Sequence, residues 1–425
     1  MDDDGLLIWK KSTCSAISCS TNHLLAYFFI KIFSAPSKSF VIILSLPSFD
    51  TKTHESQHIK NQGEYYCIMF FTIAGMLFLI SSRDLITLYV SLELSTIPLF
   101  LLAALKRKTM EGVEAGMKYV VLGALASALL LYGLGIFYAL SGSMELDRLE
   151  ILTFSSPLFF LASALVTAGI GFKLTIVPFH MWAADVYQGA PTPVTAYLSV
   201  ASKVAGLAFG YQLFFRIMAN SFDGWVPIVA ILSAITMTLG NLVAMKQENI
   251  KRFMAFSSIS QAGYLLMGFM GEGGKQAMLF YLLVYVMTNL LVFGVIILFS
   301  NHTGKENISD YRGLSRTDPV IALCMMLGVF SLAGIPPLSG FVGKFFLFSV
   351  ASKVGYHWLV AVAALNCTLS LYYYLRIVRQ MYIESPVDAS SRLRLSPAIG
   401  VSLAVTTAAV LLMGVIPGFF QGIVV

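Results

Sequence analysis

Residues Ala277 to Ser300 read AMLFYLLVYVMTNLLVFGVIILFS, twenty-four positions without one charged side chain. At about 1.5 Å per residue a helix of that length reaches about 36 Å, enough to cross the roughly 30 Å hydrocarbon core of a bilayer. Comparable runs recur at Cys67 to Ser82, Leu85 to Leu105, Ala115 to Leu140, Pro157 to Ala183, Thr192 to Phe215, Trp225 to Met245, Phe253 to Met270, Val320 to Ala351, Trp358 to Leu375 and Ile399 to Phe419. The composition carries the same message. Of 425 residues 57% are hydrophobic and 12% charged, against about 25% charged in a soluble domain, so too few polar side chains exist to cover a surface in water. Long unbroken runs, rather than ten-residue alternating ones, favour helices over a β-barrel. The expected fold is an all-α polytopic membrane protein of about eleven transmembrane helices.

The joints between runs carry charges and turn residues, such as Arg83-Asp84, Lys106-Arg107-Lys108 and Lys246-Gln247-Glu248-Asn249. On alternate sides of the spans fifteen Lys and Arg stand against five, which predicts the richer side to be cytoplasmic or matrix-facing. The net charge of +6 is spread over these short loops, so nucleic-acid binding is excluded as a role. Five cysteines without C-x-x-C spacing support neither a disulfide framework nor a metal cluster. Residues 1–66 break the pattern: Leu24 to Ile30 and Phe40 to Leu46 are too short to span, and an interfacial or poorly ordered extension is expected.

Two runs share an unusual grammar, glycines, a lysine and prolines inside one apolar stretch. One holds Gly169, Gly171, Lys173 and Pro178; the other holds Gly334, Pro336, Pro337, Gly340, Gly343 and Lys344. They are the fourth and ninth runs. A spacing of five reverses the side from which each helix starts, so two inverted five-helix repeats are expected, at 67–218 and 223–383, with discontinuous helices and a C-terminal helix at 396–425 outside the repeat.

Within a bilayer the informative residues are ionisable groups far from helix ends, because inserting a charge there costs about 2.5–3.5 kcal/mol or more. Glu93 lies nine residues beyond Asp84, Lys203 is central in its run, and Lys173 is close to the centre of its own. Snorkelling to the headgroups is the expectation for Lys118, Arg216, Lys246, Arg376 and Arg379, which stand near run ends. It does not serve for Lys173 and Lys203. A single structural ion pair with Glu93 cannot account for both of them and Lys344. Lysine suits a proton relay because burial favours the neutral amine while a neighbouring carboxylate favours the ammonium, whereas arginine stays charged. His180, just after Pro178, is a further candidate, equally readable as a structural histidine. There is no Walker motif, dinucleotide fingerprint or H-E-x-x-H.

The run Gly171-Phe172-Lys173-Leu174 through Val177-Pro178-Phe179-His180-Met181-Trp182 and Asp185-Val186-Tyr187-Gln188-Gly189-Ala190-Pro191-Thr192-Pro193 resembles the signature of the antiporter-like membrane subunits of respiratory NADH:quinone oxidoreductase (complex I), of the N type. Ser91-Leu92-Glu93-Leu94 with Pro98, Ala201-Ser202-Lys203, Lys251-Arg252-Phe253 with Ser257-Ser258-Ile259, and Gly334-Ile335-Pro336-Pro337 through Gly343-Lys344-Phe345 extend the likeness over about residues 65–420. The resemblance implies one proton channel built from two inverted repeats. It implies that Glu93 pairs with Lys173, that Lys203 is the central relay lysine, and that Lys344 ends the second repeat. It further implies no cofactor in this chain, with NADH, FMN, iron–sulfur clusters and quinone handled by partner subunits, in a bacterial plasma membrane or a mitochondrial inner membrane. A subunit of a multi-subunit cation/proton antiporter is the alternative, and an inactive scaffold a third reading.

Overall fold

The computed structural model describes residues 62–149, 156–217, 222–385, 393 and 397–424, and within it each of the eleven apolar runs is helical. In chain order the α-helices of eight or more residues are α1 Gln62–Ser81, α2 Leu85–Ala103, α3 Met110–Ser141, α4 Pro157–Leu174, α5 Trp182–Gly189, α6 Thr192–Gln212, α7 Phe222–Ala244, α8 Ile250–Leu266, α9 Gly274–Thr303, α10 Pro319–Ala333, α11 Ser339–Lys353, α12 His357–Tyr382, α13 Pro397–Val415 and α14 Pro417–Val424. Eight of the described helices are long and apolar enough to cross a membrane unbroken. The expected extension at 1–66 lies outside the described residues except for 62–66, which are the start of α1; Glu64 in that first turn suits a helix N-terminus.

Three runs are divided, each at proline: the fourth and ninth, where discontinuous helices are expected, and the last, expected as one helix. In the Pro157–Ala183 run, α4 ends at Leu174, four residues before Pro178. A proline ring collides with the carbonyl four positions back and offers no N–H, which favours a break there, although α2 and α7 continue through Pro98 and Pro227. Pro336 and Pro337 act in the same way on Leu332 and Ala333, where α10 stops. Pro417 starts α14 after α13 has ended at Val415, using the helix position where proline's missing N–H is harmless.

Helix α9 lies at the centre. It packs against α6, α10, α11 and α13, and its most apolar window is wholly buried, as is 94% of that of α6. By contrast α3 exposes Val121, Leu125, Leu131 and Tyr132 on its outer face, a surface suited to lipid. The loops hold the ends together: Ile250 N–H donates to Glu306 O, and Ile308 N–H to Glu248 O, each at 2.8 Å.

Candidate functional site

Helix α2 starts under a firm cap. Asp84 accepts from Thr87 N–H at 2.8 Å and from its hydroxyl at 2.7 Å, as an N-cap aspartate does. Two and a half turns on, α2 presents Glu93 to α3 and α4. Ser127 of α3 donates to Glu93 Oε1 at 2.7 Å, and Lys173 Nζ in the last turn of α4 stands 3.8 Å from the same oxygen. Lys173 is buried. Its Nζ has no hydrogen-bond partner among the described residues, and its other close neighbours are the rings of Phe100 and Phe172 at 5.6 and 5.8 Å. An aromatic stack walls this pair off: Tyr119 lies on Trp182 at 4.4 Å, and Trp182 on Phe172 at 5.2 Å.

The break after α4 is built around Thr175, which adopts the left-handed conformation (φ 60°, ψ 38°). For a β-branched residue this costs about 1–3 kcal/mol. Contacts hold the corner: Trp182 Nε1 donates to Phe172 O at 3.0 Å, and Val177 N–H to Thr236 Oγ1 at 3.2 Å. Lys203 of α6 reaches the corner from across, donating to Thr175 Oγ1 at 2.8 Å. One turn further, a Cβ on Gly206 would meet Leu174 Cδ2 at 2.7 Å, so a larger residue there would have to push the Leu174 side chain aside.

At the second break Lys344 of α11 turns back onto the end of α10. Its Nζ donates to Leu332 O at 2.7 Å and Ala333 O at 3.2 Å, carbonyls released by the prolines, and lies 4.5 Å over the Tyr264 ring. The three deep lysines therefore gather at the two helix breaks. Between them α8 and α9 supply buried polar groups that the sequence reading did not single out as site residues. Tyr285 OH shares a hydrogen bond with Ser258 Oγ at 2.9 Å and donates to Ser199 O at 3.1 Å, one turn before Lys203. Tyr281 OH donates to Gln261 Oε1, and Gln261 Nε2 to Leu332 O at 3.1 Å. The signal was present in the spacing, since Ser258 with Gln261 and Tyr281 with Tyr285 recur at three and four residues on single helix faces.

His180 sits in the turn between α4 and α5, half-buried, with Nδ1 lacking a hydrogen-bond partner among the described residues. Among the described residues it makes no hydrogen bond to Glu93 or the lysines. Two snorkelling expectations are corrected. Helix α3 begins at Met110 under a Thr109 cap, so Lys118 is a full two turns inside it and pairs with Asp185 and Glu114, both at 2.5 Å. Arg216 is buried and pairs with Asp147 and with Gln212 at 3.1 Å. Arg252 joins the first cluster through Asp185 at 2.6 Å. Lys251, one of the fifteen basic residues counted on the richer side of the loops, is fully buried, 2.7 Å from Glu306. Burial alone raises the Glu306 pKa, but the Lys251 ammonium, Lys106 and the Asn249 amide together overturn this and hold it below the ordinary carboxylate value.

A bundle of apolar helices, two of them interrupted beside buried lysines, defines the class of antiporter-like ion-translocating membrane proteins. The chain belongs to the membrane family described as NADH:quinone oxidoreductase/Mrp antiporter, whose pattern matches residues 82–370. It is 43% identical over 362 residues to NADH-quinone oxidoreductase subunit N of Moorella thermoacetica, covering 84% of this chain and 76% of that one. With the subunit N of Desulforamulus reducens it shares 40% over 399 residues, 92% of this chain and 81% of the relative. Among solved structures it is similar to a chain of respiratory complex I from Thermus thermophilus, with TM-score 0.74 and 33% identity over 84% of this chain and 79% of that chain. A chain of the Mrp complex from a Dietzia species shares the fold, with TM-score 0.82 and 22% identity over 94% of this chain and 82% of that one.

Proposed function

We propose that the chain is a proton-translocating membrane subunit of NADH:quinone oxidoreductase in a bacterial plasma membrane, and that Glu93, Lys173, Lys203 and Lys344 carry the proton. The observation behind the residue assignment is the gathering of three buried lysines at two helix breaks with one carboxylate, Glu93, 3.8 Å from the first. At that distance and an effective dielectric near 20, the attraction is about 4 kcal/mol. A modest movement of Glu93 would therefore change whether Lys173 holds its proton. Lys203 and the hydroxyls and amide of α8 and α9 continue the polar line toward Lys344. His180 is a candidate member beside the first break.

In this reading two inverted five-helix units, 67–218 and 223–383, each contribute one interrupted helix. NADH oxidation, FMN, iron–sulfur clusters and quinone reduction belong to partner subunits, and this chain holds no redox site; its neighbours are the other membrane subunits and lipid. The cation/proton antiporter alternative has the weaker support, since identity is 33% to the complex I chain and 22% to the Mrp chain. The experiment is proton pumping by the reconstituted complex carrying Lys203→Ala or Glu93→Ala. Loss of coupled proton uptake is expected, and unchanged stoichiometry and rate would remove the relay assignment.

A further inference from the structure

Thr175 is the one non-glycine residue with positive φ among the described residues. It takes the left-handed position that follows α4, and Gly334 takes the same position after α10, with φ 90°. Glycine enters this conformation freely, whereas a β-branched side chain resists it. At two equivalent corners the chain thus uses the easy residue once and the strained one once, and the difference is a hydroxyl group. That hydroxyl is fully buried. It donates to Leu174 O at 2.5 Å, leaving its lone pairs for Lys203 Nζ at 2.8 Å. No other hydrogen-bond partner of Lys203 Nζ is found among the described residues. At the second corner none is needed, because Lys344 reaches the carbonyls of Leu332 and Ala333 directly, its Cδ passing 3.3 Å from where a Cβ on Gly334 would lie.

We propose that Thr175 is a positioning residue for Lys203: its hydroxyl fixes the Lys203 nitrogen at the first helix break, two residues along the backbone from Lys173, and this is why threonine stands where the fold would take glycine. The proposal rests on the reading of Lys203 as a relay lysine. An ordinary packing role makes the opposite forecast for one substitution. Thr175→Gly relieves the strained backbone and removes the hydroxyl, so a residue that only shapes the turn would be improved by it.

The test uses the assembled complex in proteoliposomes, with recovery checked by native electrophoresis and NADH-driven proton uptake measured for Thr175→Ser, Thr175→Val, Thr175→Gly and Lys203→Met. The serine variant is expected within about twofold of wild type. The valine and glycine variants should fall to the level of Lys203→Met, about tenfold down, as loss of a hydrogen bond to a charged group implies. If valine prevents assembly, glycine decides. Wild-type uptake in Thr175→Gly, or a serine variant as poor as glycine, overturns the proposal while a defective Lys203→Met keeps the relay standing. Wild-type uptake in Lys203→Met removes the relay reading itself and the proposal with it.

Discussion

Lys344 and Gln261 donate to the same carbonyl oxygen, that of Leu332, at 2.7 and 3.1 Å. The prolines of the second break release this carbonyl, and its two lone pairs accept from two helices at once, α11 and α8. Gln261 is anchored in turn by Tyr281, whose hydroxyl donates to its Oε1. Gln261→Leu should therefore orphan the buried Tyr281 hydroxyl and lower stability by about 1–3 kcal/mol. Adding Tyr281→Phe replaces both partners by apolar groups and should restore most of the melting temperature. Proton uptake should stay reduced in the double variant, since the polar link toward Lys344 is gone. Full recovery of uptake with stability would show the pair to be packing alone.

Ser127 offers a milder probe of the first repeat. It holds Glu93 Oε1 at 2.7 Å, the oxygen that Lys173 faces. Ser127→Ala removes a hydrogen bond to a carboxylate, a loss of about 1.5–3 kcal/mol in local free energy. Coupled proton uptake should slow by about tenfold, with assembly intact, while Ser127→Thr keeps the hydroxyl and most of the rate. Equal uptake in the alanine and wild-type complexes would mean that Glu93 needs no such anchor.

Close helix approach at the second break can be tested through glycine. A Cβ on Gly340 would lie 1.7 Å from Ser331 O, a backbone atom that cannot step aside. Gly340→Ala should abolish recovery of the assembled complex. Gly135→Ala is the matched control on the outer face of α3, where no atom lies within 4 Å of the added methyl group. There helix propensity alone acts, and a gain of about 0.5–1 kcal/mol is expected. Native electrophoresis of both variants checks the contrast.

The hydrophobic runs made the helices legible because span length is set by bilayer thickness, which leaves little freedom. Pro178, Pro336 and Pro337 likewise announced two breaks, although the sequence could not tell that Leu174 and Ala333 would be the last helical residues before left-handed corners. Glu93, Lys173, Lys203 and Lys344 stood out since charge is costly in lipid. Gln261, Tyr281, Tyr285 and Ser258 did not, because uncharged polar side chains are common in membrane helices and only packing shows which ones meet. Lys118, Arg216 and Lys251 were misread for a related reason. A charge near a span end can snorkel or can pair, and the choice depends on whether an acid from a distant segment, Asp185, Asp147 or Glu306, arrives beside it.

The last of these pairs gives a prediction in pH. Lys251 is fully buried and Glu306 lies 2.7 Å away, with its pKa lowered in the folded state by Lys251, Lys106 and Asn249 against the opposing effect of burial. A group whose folded pKa is depressed contributes stability that is complete above the unfolded value, about 4.3 for glutamate, and is lost as pH falls through the lower folded value. At neutral pH Glu306→Gln leaves the Lys251 ammonium buried without its carboxylate, which should destabilise by about 3 kcal/mol. The gap in melting temperature between wild type and Glu306→Gln should therefore be constant from pH 8 to about pH 5 and narrow below about pH 4.3. The measurement is thermal unfolding of the purified assembly in lipid nanodiscs across that range. A gap that stays constant under acid would mean that the carboxylate's charge contributes nothing at this joint, and that Glu306 acts there only through its shape and its bond to Asn249.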